Sequence, residues 1–258
     1  MISLLDAAYP YTERFRGVRI STRPDYIDDK ILILLKKYNI SAIELGAQSM
    51  SDEVLIANER GHSADDVRSA SKLIRDYDIE LGLQMMTGLY QSSDDLDRYT
   101  ADEFIKLSPM TVRIYPTVVM RNTRLADLYQ SGIYHPQGLD DAVSLCAVLL
   151  DIFEEHHINV IRVGLHHTDS LDKDMLAGPY HPAFRELCES ERIYNILLKK
   201  FKRDKTTDLT VAVSPRAVSK LIGNQKKNIQ KLSDLGLHIH IIQDNTLDES
   251  QMKFIDER

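Results

Sequence analysis

The sequence predicts an α/β fold in which a partial (β/α) barrel is followed by a small α/β extension. The first observation is that β-branched runs alternate with amphipathic helical segments through residues 1–165, a pattern typical of right-handed βαβ units and a parallel sheet. The second is that such runs end in polar residues, as at Ser21 and Thr22, where parallel sheets hold ligands. The third is size, because 258 residues that are 43% hydrophobic can bury a substantial core.

The barrel elements follow from the periodicity of apolar residues. Strands are predicted at Val18–Thr22, Ala42–Leu45, Glu80–Met86, Thr111–Pro116 and Asn159–Gly164, and helices at Ile2–Phe15, Ile27–Tyr38, Ser63–Tyr77 and Leu139–Phe153. Ser63 followed by Asp66 indicates a helix start, because the hydroxyl can accept a bond from an otherwise unpaired amide. These elements make four complete units and a fifth strand, whereas a closed barrel needs eight strands. The first strand would therefore expose an edge, which the first helix or a second copy of the chain must cover.

The pattern changes near residue 170, where we predict a boundary between a barrel at 1–170 and an extension at 171–258. Residues 166–182 are predicted to form a loop and Ala183–Lys202 a long helix. The segment Asp208–Ile242 then indicates strand, helix, turn, helix and strand.

Charge is unevenly distributed in this chain of net charge -7. The segment Lys199–Lys231 carries ten basic residues against Asp204 and Asp208. Such asymmetry favours an anionic partner, although a solvated helix face would give the same pattern. No apolar run approaches the length of a membrane span and Asp6 interrupts the first apolar segment, so we expect no membrane association and a cytoplasmic location.

Six motifs occur in a characteristic order between residues 2 and 235: STRPDYID, ELGAQSMSDEVL, NERGH, LGLQMMTGL, VRIYPTVVM and AGPYHPAFREL. As a set they resemble radical S-adenosylmethionine enzymes, in particular relatives of the Elongator catalytic subunit, and more distantly the oxygen-independent coproporphyrinogen dehydrogenases. The resemblance implies an incomplete barrel. It also implies reductive cleavage of S-adenosylmethionine to a 5'-deoxyadenosyl radical, and hence S-adenosylmethionine as a cofactor.

The chain departs from that family in its cysteines. The family holds a [4Fe-4S] cluster on a Cys-x-x-x-Cys-x-x-Cys loop, but the sequence has only Cys146 and Cys188. Both lie on apolar helix faces and are expected to be core residues. We therefore interpret the chain as the carboxyl-terminal two-thirds of such an enzyme, unable to bind the cluster and inactive alone.

The resemblance also implies which residues hold the cofactor. The expected cofactor-binding residues are Ser21, Thr22, Gln48, Arg60, Gln84 and the backbone of Met86. Amides and hydroxyls bond ribose hydroxyls without adding charge, and a guanidinium pairs with a carboxylate. Two alternatives remain open: Gln48 could cap the following helix, and Arg60 could pair on the surface with Glu53 or Asp66.

Three further residues are expected to line the barrel: Glu44, Arg113 and Tyr115. A charge inside a strand is costly unless it is paired or faces a wet cavity. Glu44 and Arg113 could pair with each other or with Arg19. They are therefore either substrate contacts or structural ion pairs. No histidine pair has the helical spacing of a metal site, so no metal site is expected.

The extension contains a helix-loop-helix between two predicted strands, at Ser214–Leu232. It resembles the unit of KH domains, which clamp a nucleic-acid backbone with a Gly-x-x-Gly loop. Here the loop is Gly223-Asn224-Gln225-Lys226, so lysine replaces the second glycine. The candidate nucleic-acid contacts are Lys220, Lys226 and Lys227. The alternative is a packing domain with a lysine-rich surface.

These observations favour the carboxyl-terminal portion of a radical S-adenosylmethionine enzyme. One alternative is an RNA-binding module, with transfer RNA as partner through the basic extension. Another is an inert remnant with a core but no activity. We also expect a homodimer through the exposed amino-terminal edge.

Overall fold

The computed structural model describes residues 2–15, 17–249 and 251–255, with the side chain of residue 13 excepted. The chain divides into two compact units, Met1–Pro182 and Ala183–Arg258, referred to below as unit 1 and unit 2. The division into a barrel at 1–170 and an extension at 171–258 remains a prediction.

Unit 1 is built on an open parallel sheet, which confirms the predicted α/β class and partial barrel. Its strands are β1 (Val18–Thr22), β2 (Ile40–Gln48), β3 (Glu80–Thr87), β4 (Thr111–Pro116), β5 (Val119–Met120), β6 (Asn159–Val163) and β7 (Met175–Ala177). The order in the main sheet is β1-β2-β3-β4-β6, and every neighbouring pair is parallel. Strands β5 and β7 form a separate antiparallel pair. Five sequential parallel strands bring five carboxyl ends to one edge, where the predicted cofactor residues lie.

Helices connect these strands, among them the ones predicted at Ile27–Tyr38, Ser63–Tyr77 and Leu139–Phe153. They are α1 (Ile2–Ala8), α2 (Asp29–Lys37), α3 (Asp52–Ala57), α4 (Ala64–Asp76), α5 (Asp94–Leu107), α6 (Arg124–Gln130), α7 (Leu139–Glu155) and α8 (Asp169–Asp174). The predicted start at Ser63 is confirmed: its hydroxyl accepts from the Asp66 amide while the Asp66 carboxylate accepts from the Ser63 amide. This reciprocal arrangement satisfies two amides that the helix cannot pair internally.

The two faces of the sheet differ in chemistry because side chains alternate along each strand. One face is buried and apolar, with Ile43, Leu45, Leu83 and Ile114 at 1% exposure or less. The opposite face, called the inner face below, carries Arg19, Ser21, Glu44, Gly82, Gln84, Met86, Arg113, Tyr115 and Arg162, as register pairing places them. Glu44 of this face pairs with Arg19 and Arg113, as a charge away from water must.

Two predicted segments differ from the structure. The predicted helix Ile2–Phe15 ends at Ala8 and continues as a 3-10 helix over Tyr9–Arg14, since Pro10 has no amide hydrogen to donate to an α-helix. The predicted loop 166–182 contains α8 and β7. Thr168 caps α8 by accepting from the Leu171 amide, and an element this short gives too few residues for a periodic signal.

Unit 2 combines helices α9 (Phe184–Asp204), α10 (Val218–Ile222) and α11 (Lys227–Asp234) with strands β8 (Asp208–Val213), β9 (His238–Gln243) and β10 (Met252–Ile255). Strand β8 is central, parallel to β9 and antiparallel to β10. Its core packs Leu197, Phe201, Val211, Leu221 and Leu232. The predicted strand-helix-turn-helix-strand order is present, and β10 is an addition that the sequence did not reveal.

Neither unit, over the residues described, contains a helix that is both long and apolar enough to span a bilayer.

Candidate functional site

Two glutamine side chains meet where β2 and β3 end. The Gln84 amide Nε2 donates to Gln48 Oε1 at 3.3 Å, and Gln48 is only 4% exposed. A bulge between Leu45 and Gln48 and a left-handed φ of 68° at Gln48 turn this residue out of the strand. Its Nε2 would lie 2.7 Å from a Cβ at Gly46, so the glycine leaves the room that the amide occupies.

Gln48 does not act as the helix cap considered above. Ser51 is the N-cap residue of α3, and its own side chain makes no capping hydrogen bond. The Gln48 side-chain amide instead accepts a hydrogen bond from Gln84. The pair therefore presents amide donors and acceptors at the carboxyl edge of the sheet, as a ribose site requires.

Ser21 and Thr22 lie at the end of the neighbouring strand β1. The Ser21 hydroxyl donates to Glu44 Oε2 at 3.3 Å. Met86 lies on β3 opposite Tyr115 of β4, two residues beyond Gln84 on the same face. The polar ends of three consecutive strands thus occupy one edge of the sheet.

Arg60 lies just after α3 without a counter-ion among the described residues. Its Nε is buried and has no hydrogen-bond partner there. Burial and the nearby Arg23 guanidinium both hold the pKa of Arg60 below its usual value. Asp66, one of the two carboxylates considered for it, instead binds Ser63. A half-buried cation of this kind is suited to a carboxylate or phosphate ligand.

The barrel-lining residues form a dense ion-pair network on the inner face. Glu44 is 2% exposed, and its Oε1 accepts from Arg19 Nη1 at 2.9 Å and from Arg113 Nε at 3.0 Å. Its Oε2 lies 2.8 Å from Arg113 Nη2. Arg113 Nη1 also donates to the Tyr115 hydroxyl at 3.4 Å. Both pairings considered from the sequence are therefore present, centred on one carboxylate.

Unit 2 places the three candidate lysines in different surroundings. Lys220 Nζ lies 2.6 Å from Glu189 Oε2, whereas Lys226 is exposed in the loop and Lys227 begins α11. The loop is conformationally unusual, because Gln225 and Lys226 have left-handed φ of 52° and 63°. Gly223 has φ 83° and ψ 158°, a region that essentially only glycine occupies.

No cluster of three or more histidine, cysteine, aspartate or glutamate side chains suited to a metal is found in the described parts of the chain. Cys146 and Cys188 form no disulfide and are both buried, as their helix faces predicted. The donor set of this chain therefore does not fit an iron-sulfur cluster, which needs several thiolates converging on the metal.

Sequence reasoning missed two residues of this region. Gly82 lies between Glu44 and Thr111, and a Cβ there would be 2.7 Å from Glu44 Cγ. A glycine inside a strand pattern signals such a close approach. Arg162 faces inward only because of a bulge, for which the sequence gives no signal.

Comparison with known proteins assigns the class. A model of the radical SAM superfamily matches residues 3–101, and a model of the radical SAM C-terminal domain matches residues 109–193. The chain belongs to the radical S-adenosylmethionine superfamily, as its motifs predicted. Complete members of this superfamily use S-adenosylmethionine with a [4Fe-4S] cluster.

Within that superfamily the chain is Elongator-like. It is 31% identical over 132 residues to the tRNA uridine(34) acetyltransferase of Methanocaldococcus infernus, covering 49% of this chain and 24% of that protein. It is 31% identical over 150 residues to Elongator complex protein 3 of Homo sapiens, covering 55% and 27% respectively. The solved structure of Methanocaldococcus infernus Elp3 lacking residues 1–46 superposes with a TM-score of 0.61 at 26% identity, covering 71% of this chain and 42% of that one. The chain thus spans about a quarter of the length of these curated relatives.

Proposed function

We propose that unit 1 binds the nucleoside portion of S-adenosylmethionine across the carboxyl ends of β1, β2 and β3. The observation that carries this proposal is the contact between Gln84 Nε2 and Gln48 Oε1 at 3.3 Å. Both amides are partly or fully buried at the strand ends, and a ribose could replace their mutual bond with bonds to its two hydroxyls. The neighbouring Ser21 and Thr22 would add hydroxyl contacts, and the Met86 backbone would face the adenine.

Arg60 would hold the methionine carboxylate of the same cofactor. Its buried Nε has no partner in the described structure, and a buried donor left unsatisfied costs about 1–3 kcal/mol. A bidentate carboxylate would remove that cost. In a complete enzyme of the superfamily the bound cofactor would supply the 5'-deoxyadenosyl radical, and the residues of this chain would orient its nucleoside.

Calorimetric titration of the purified chain with S-adenosylmethionine and with 5'-deoxyadenosine tests the nucleoside site. Gln84→Leu and Gln48→Leu should each weaken both ligands about tenfold, the equivalent of one lost hydrogen bond. Gln130→Leu is the matched control, because Gln130 is exposed on α6. Arg60→Gln should weaken S-adenosylmethionine but leave 5'-deoxyadenosine unchanged, since the latter has no carboxylate. Equal binding by all variants would contradict the proposal.

We further propose that this chain does not cleave S-adenosylmethionine by itself. Its two cysteines are buried in separate helices, α7 and α9. A cluster that supplies the electron would therefore have to be held by cysteines outside this sequence. After iron-sulfur reconstitution the purified chain should remain colourless. Bound iron near four per chain would contradict this.

A second candidate function is RNA binding by unit 2. It is favoured by the exposed Lys226 in a loop of left-handed residues and by relatives named as tRNA uridine(34) acetyltransferases. The ion pair between Lys220 and Glu189 limits what Lys220 can contribute, because a phosphate would have to displace the carboxylate.

Filter binding of transfer RNA at several salt concentrations tests this second function. The double variant Lys226→Glu, Lys227→Glu should weaken binding and reduce its salt dependence. The matched control is Lys199→Glu, Lys202→Glu, which changes the same charge on exposed positions of α9. If both double variants weaken binding equally, attraction is nonspecific and the loop has no special role.

We also propose that a second copy of the chain covers the amino-terminal edge. Strand β1 ends the described sheet, and large apolar side chains are exposed just before it: Ile2, Leu4, Tyr11 and Phe15. An exposed edge beside apolar surface is a typical pairing site. Light scattering should show a dimer that Leu4→Glu dissociates and that Ile56→Glu, at an equally exposed position elsewhere, leaves intact. A wild-type chain that is monomeric would contradict the proposed dimer.

A further inference from the structure

A β-bulge in β6 determines where Arg162 lies. Val112 of β4 pairs with Val160, but the next residue, Arg113, pairs with Arg162, so Ile161 is the extra residue. Without this bulge Arg162 would pair with Ile114 and point into the apolar layer under the sheet. Because of it, Arg162 shares the inner face with Arg113, while Val163 pairs with the buried Ile114. Bulges of this kind commonly re-aim a side chain next to a functional site.

The register also puts Arg162 level with the proposed nucleoside site. Gln84 of β3 pairs with Arg113 of β4, which pairs with Arg162 of β6. With strands spaced about 4.8 Å apart, the backbone at Arg162 is about 10 Å from the backbone at Gln84. A group held at Arg162 would therefore lie beside a nucleoside held at Gln84.

Arg162 differs from the other inner-face arginines in having no carboxylate. Both oxygens of Glu44 are occupied by Arg19, Arg113 and Ser21. Arg162 is half-buried, and no hydrogen bond or ion pair is found for it within the described residues. Arg162 lies next to Arg113, which is paired with Glu44. This end of the inner face therefore carries an excess of positive charge.

We infer that Arg162 binds an anionic group of the substrate, a carboxylate or a phosphate, on the inner face beside the cofactor. The planar guanidinium matches the geometry of both oxyanions and can bind either one bidentately. This inference rests on the proposed function, because it takes the inner face as the side on which the substrate approaches the nucleoside. It specifies a substrate that is anionic close to its reacting position.

Nitrogen-detected NMR of arginine Nε groups tests the inference on the intact chain. The Arg162 signal is identified by its loss in Arg162→Lys, and inorganic phosphate and acetate serve as separate probes. We expect the Arg162 signal to shift along a saturable curve in the millimolar range with at least one probe. The probe that saturates at lower concentration distinguishes a phosphate from a carboxylate site. Arg124 is the internal control, since it is exposed and paired with Glu59.

The inference is overturned if the Arg162 signal does not move, or if it moves linearly in parallel with that of Arg124. In Arg162→Gln, the backbone amides near residue 162 must no longer shift when phosphate or acetate is added. The rest of the spectrum must stay as in the wild type, which shows that the variant is folded. In the same samples, 5'-deoxyadenosine should shift the side-chain amides of Gln48 and Gln84. Loss of that shift alone would contradict the nucleoside site, whereas loss of the oxyanion response alone would contradict the role of Arg162.

Discussion

Glu44 and Arg113 form a bidentate ion pair, at 2.8 Å and 3.0 Å, across a strand that separates them. They belong to β2 and β4, and β3 runs between the two. The pair can form because Gly82, the β3 residue that pairs with Glu44, has no side chain to occupy the space that the Glu44 side chain crosses. The inner face is thereby held together across three strands at the level just below the proposed cofactor site.

Gly82→Ala should destabilise unit 1 by about 1–3 kcal/mol. Its new methyl carbon would lie 2.7 Å from Glu44 Cγ and 2.9 Å from Thr111 Oγ1, so the ion-pair network must shift. Urea unfolding followed by circular dichroism measures the loss. In a Glu44→Ala background the first of these clashes is absent, so the same substitution should cost less there. An equal cost in both backgrounds would mean that Gly82 does not act through Glu44.

Glu44→Gln should destabilise the protein by about 2 kcal/mol. It keeps the shape of the side chain but removes the carboxylate between Arg19 and Arg113, which are 35% and 28% exposed. Arg19 keeps its longer pair with Glu80, at 3.6 Å, but the two guanidinium groups repel each other more strongly. Added salt should recover part of the loss by screening this repulsion. Glu59→Gln, which removes an exposed pair with Arg124, should change stability by less than about 1 kcal/mol. Similar losses of stability from Glu44→Gln and Glu59→Gln would show that the buried pairs of Glu44 are no more important than an exposed pair.

Asp97 should give unit 1 a pH-dependent stability. Burial raises the pKa of this carboxyl to about 6, although bonds from the Ser92 hydroxyl and the Gly88 amide oppose the shift. The folded-state pKa lies above the ordinary value of 3.8. The stability that protonated Asp97 contributes is therefore fully present below pH 3.8 and is lost as the pH rises to about 6.

The measurement is the difference in unfolding free energy between Asp97→Asn and the wild type at several pH values. It should grow in favour of the variant between about pH 4 and about pH 6, by about 3 kcal/mol at most, and then stay constant. Asp95→Asn is the control for the same substitution on the same helix, because the Asp95 side chain is 94% exposed. A flat difference for Asp97→Asn would show that its carboxyl titrates normally.

Gly223→Ala should destabilise unit 2 more than Gly236→Ala does. Both glycines have positive φ, 83° and 73°, so both variants carry backbone strain of about 1–3 kcal/mol, and Gly223, with ψ 158°, lies in the region that essentially only glycine occupies. Only at Gly223 would the methyl group collide, at 2.8 Å from the Asn228 backbone nitrogen, whereas nothing lies within 4 Å at Gly236. We expect the extra cost to be about 1–3 kcal/mol. Thermal unfolding of the two variants checks the order, and equal losses would contradict it.

This last comparison bears on the KH-like interpretation of the loop. The Asn228 amide donates to the Ser190 carbonyl and hydroxyl and to the Leu221 carbonyl, which ties the two short helices to α9. Gly223 is required for that packing whether or not RNA binds. The glycine in the motif therefore has a structural explanation, and only the lysines test the RNA function.

Local patterns were sufficient for most of the fold. The main strands and the helices α2, α4, α7 and α9 were predicted within a few residues, because alternation and 3.6-residue periodicity record which face of each element is buried. Helix α5, of 14 residues, was not named from the sequence. Short elements such as α8 and β10 were missed, since their formation depends on a partner strand or a cap rather than on their own sequence.

The sequence by itself determined the parallel α/β class, the capped start of α4, the burial of both cysteines and the family, because each depends on local composition or on ordered motifs. Only the tertiary structure decided that Glu44 pairs with two arginines at once, that Gln48 meets Gln84, and that a bulge places Arg162 on the inner face. These features arise from register between strands far apart in the chain. A shift of one residue in that register reverses the face on which a side chain lies.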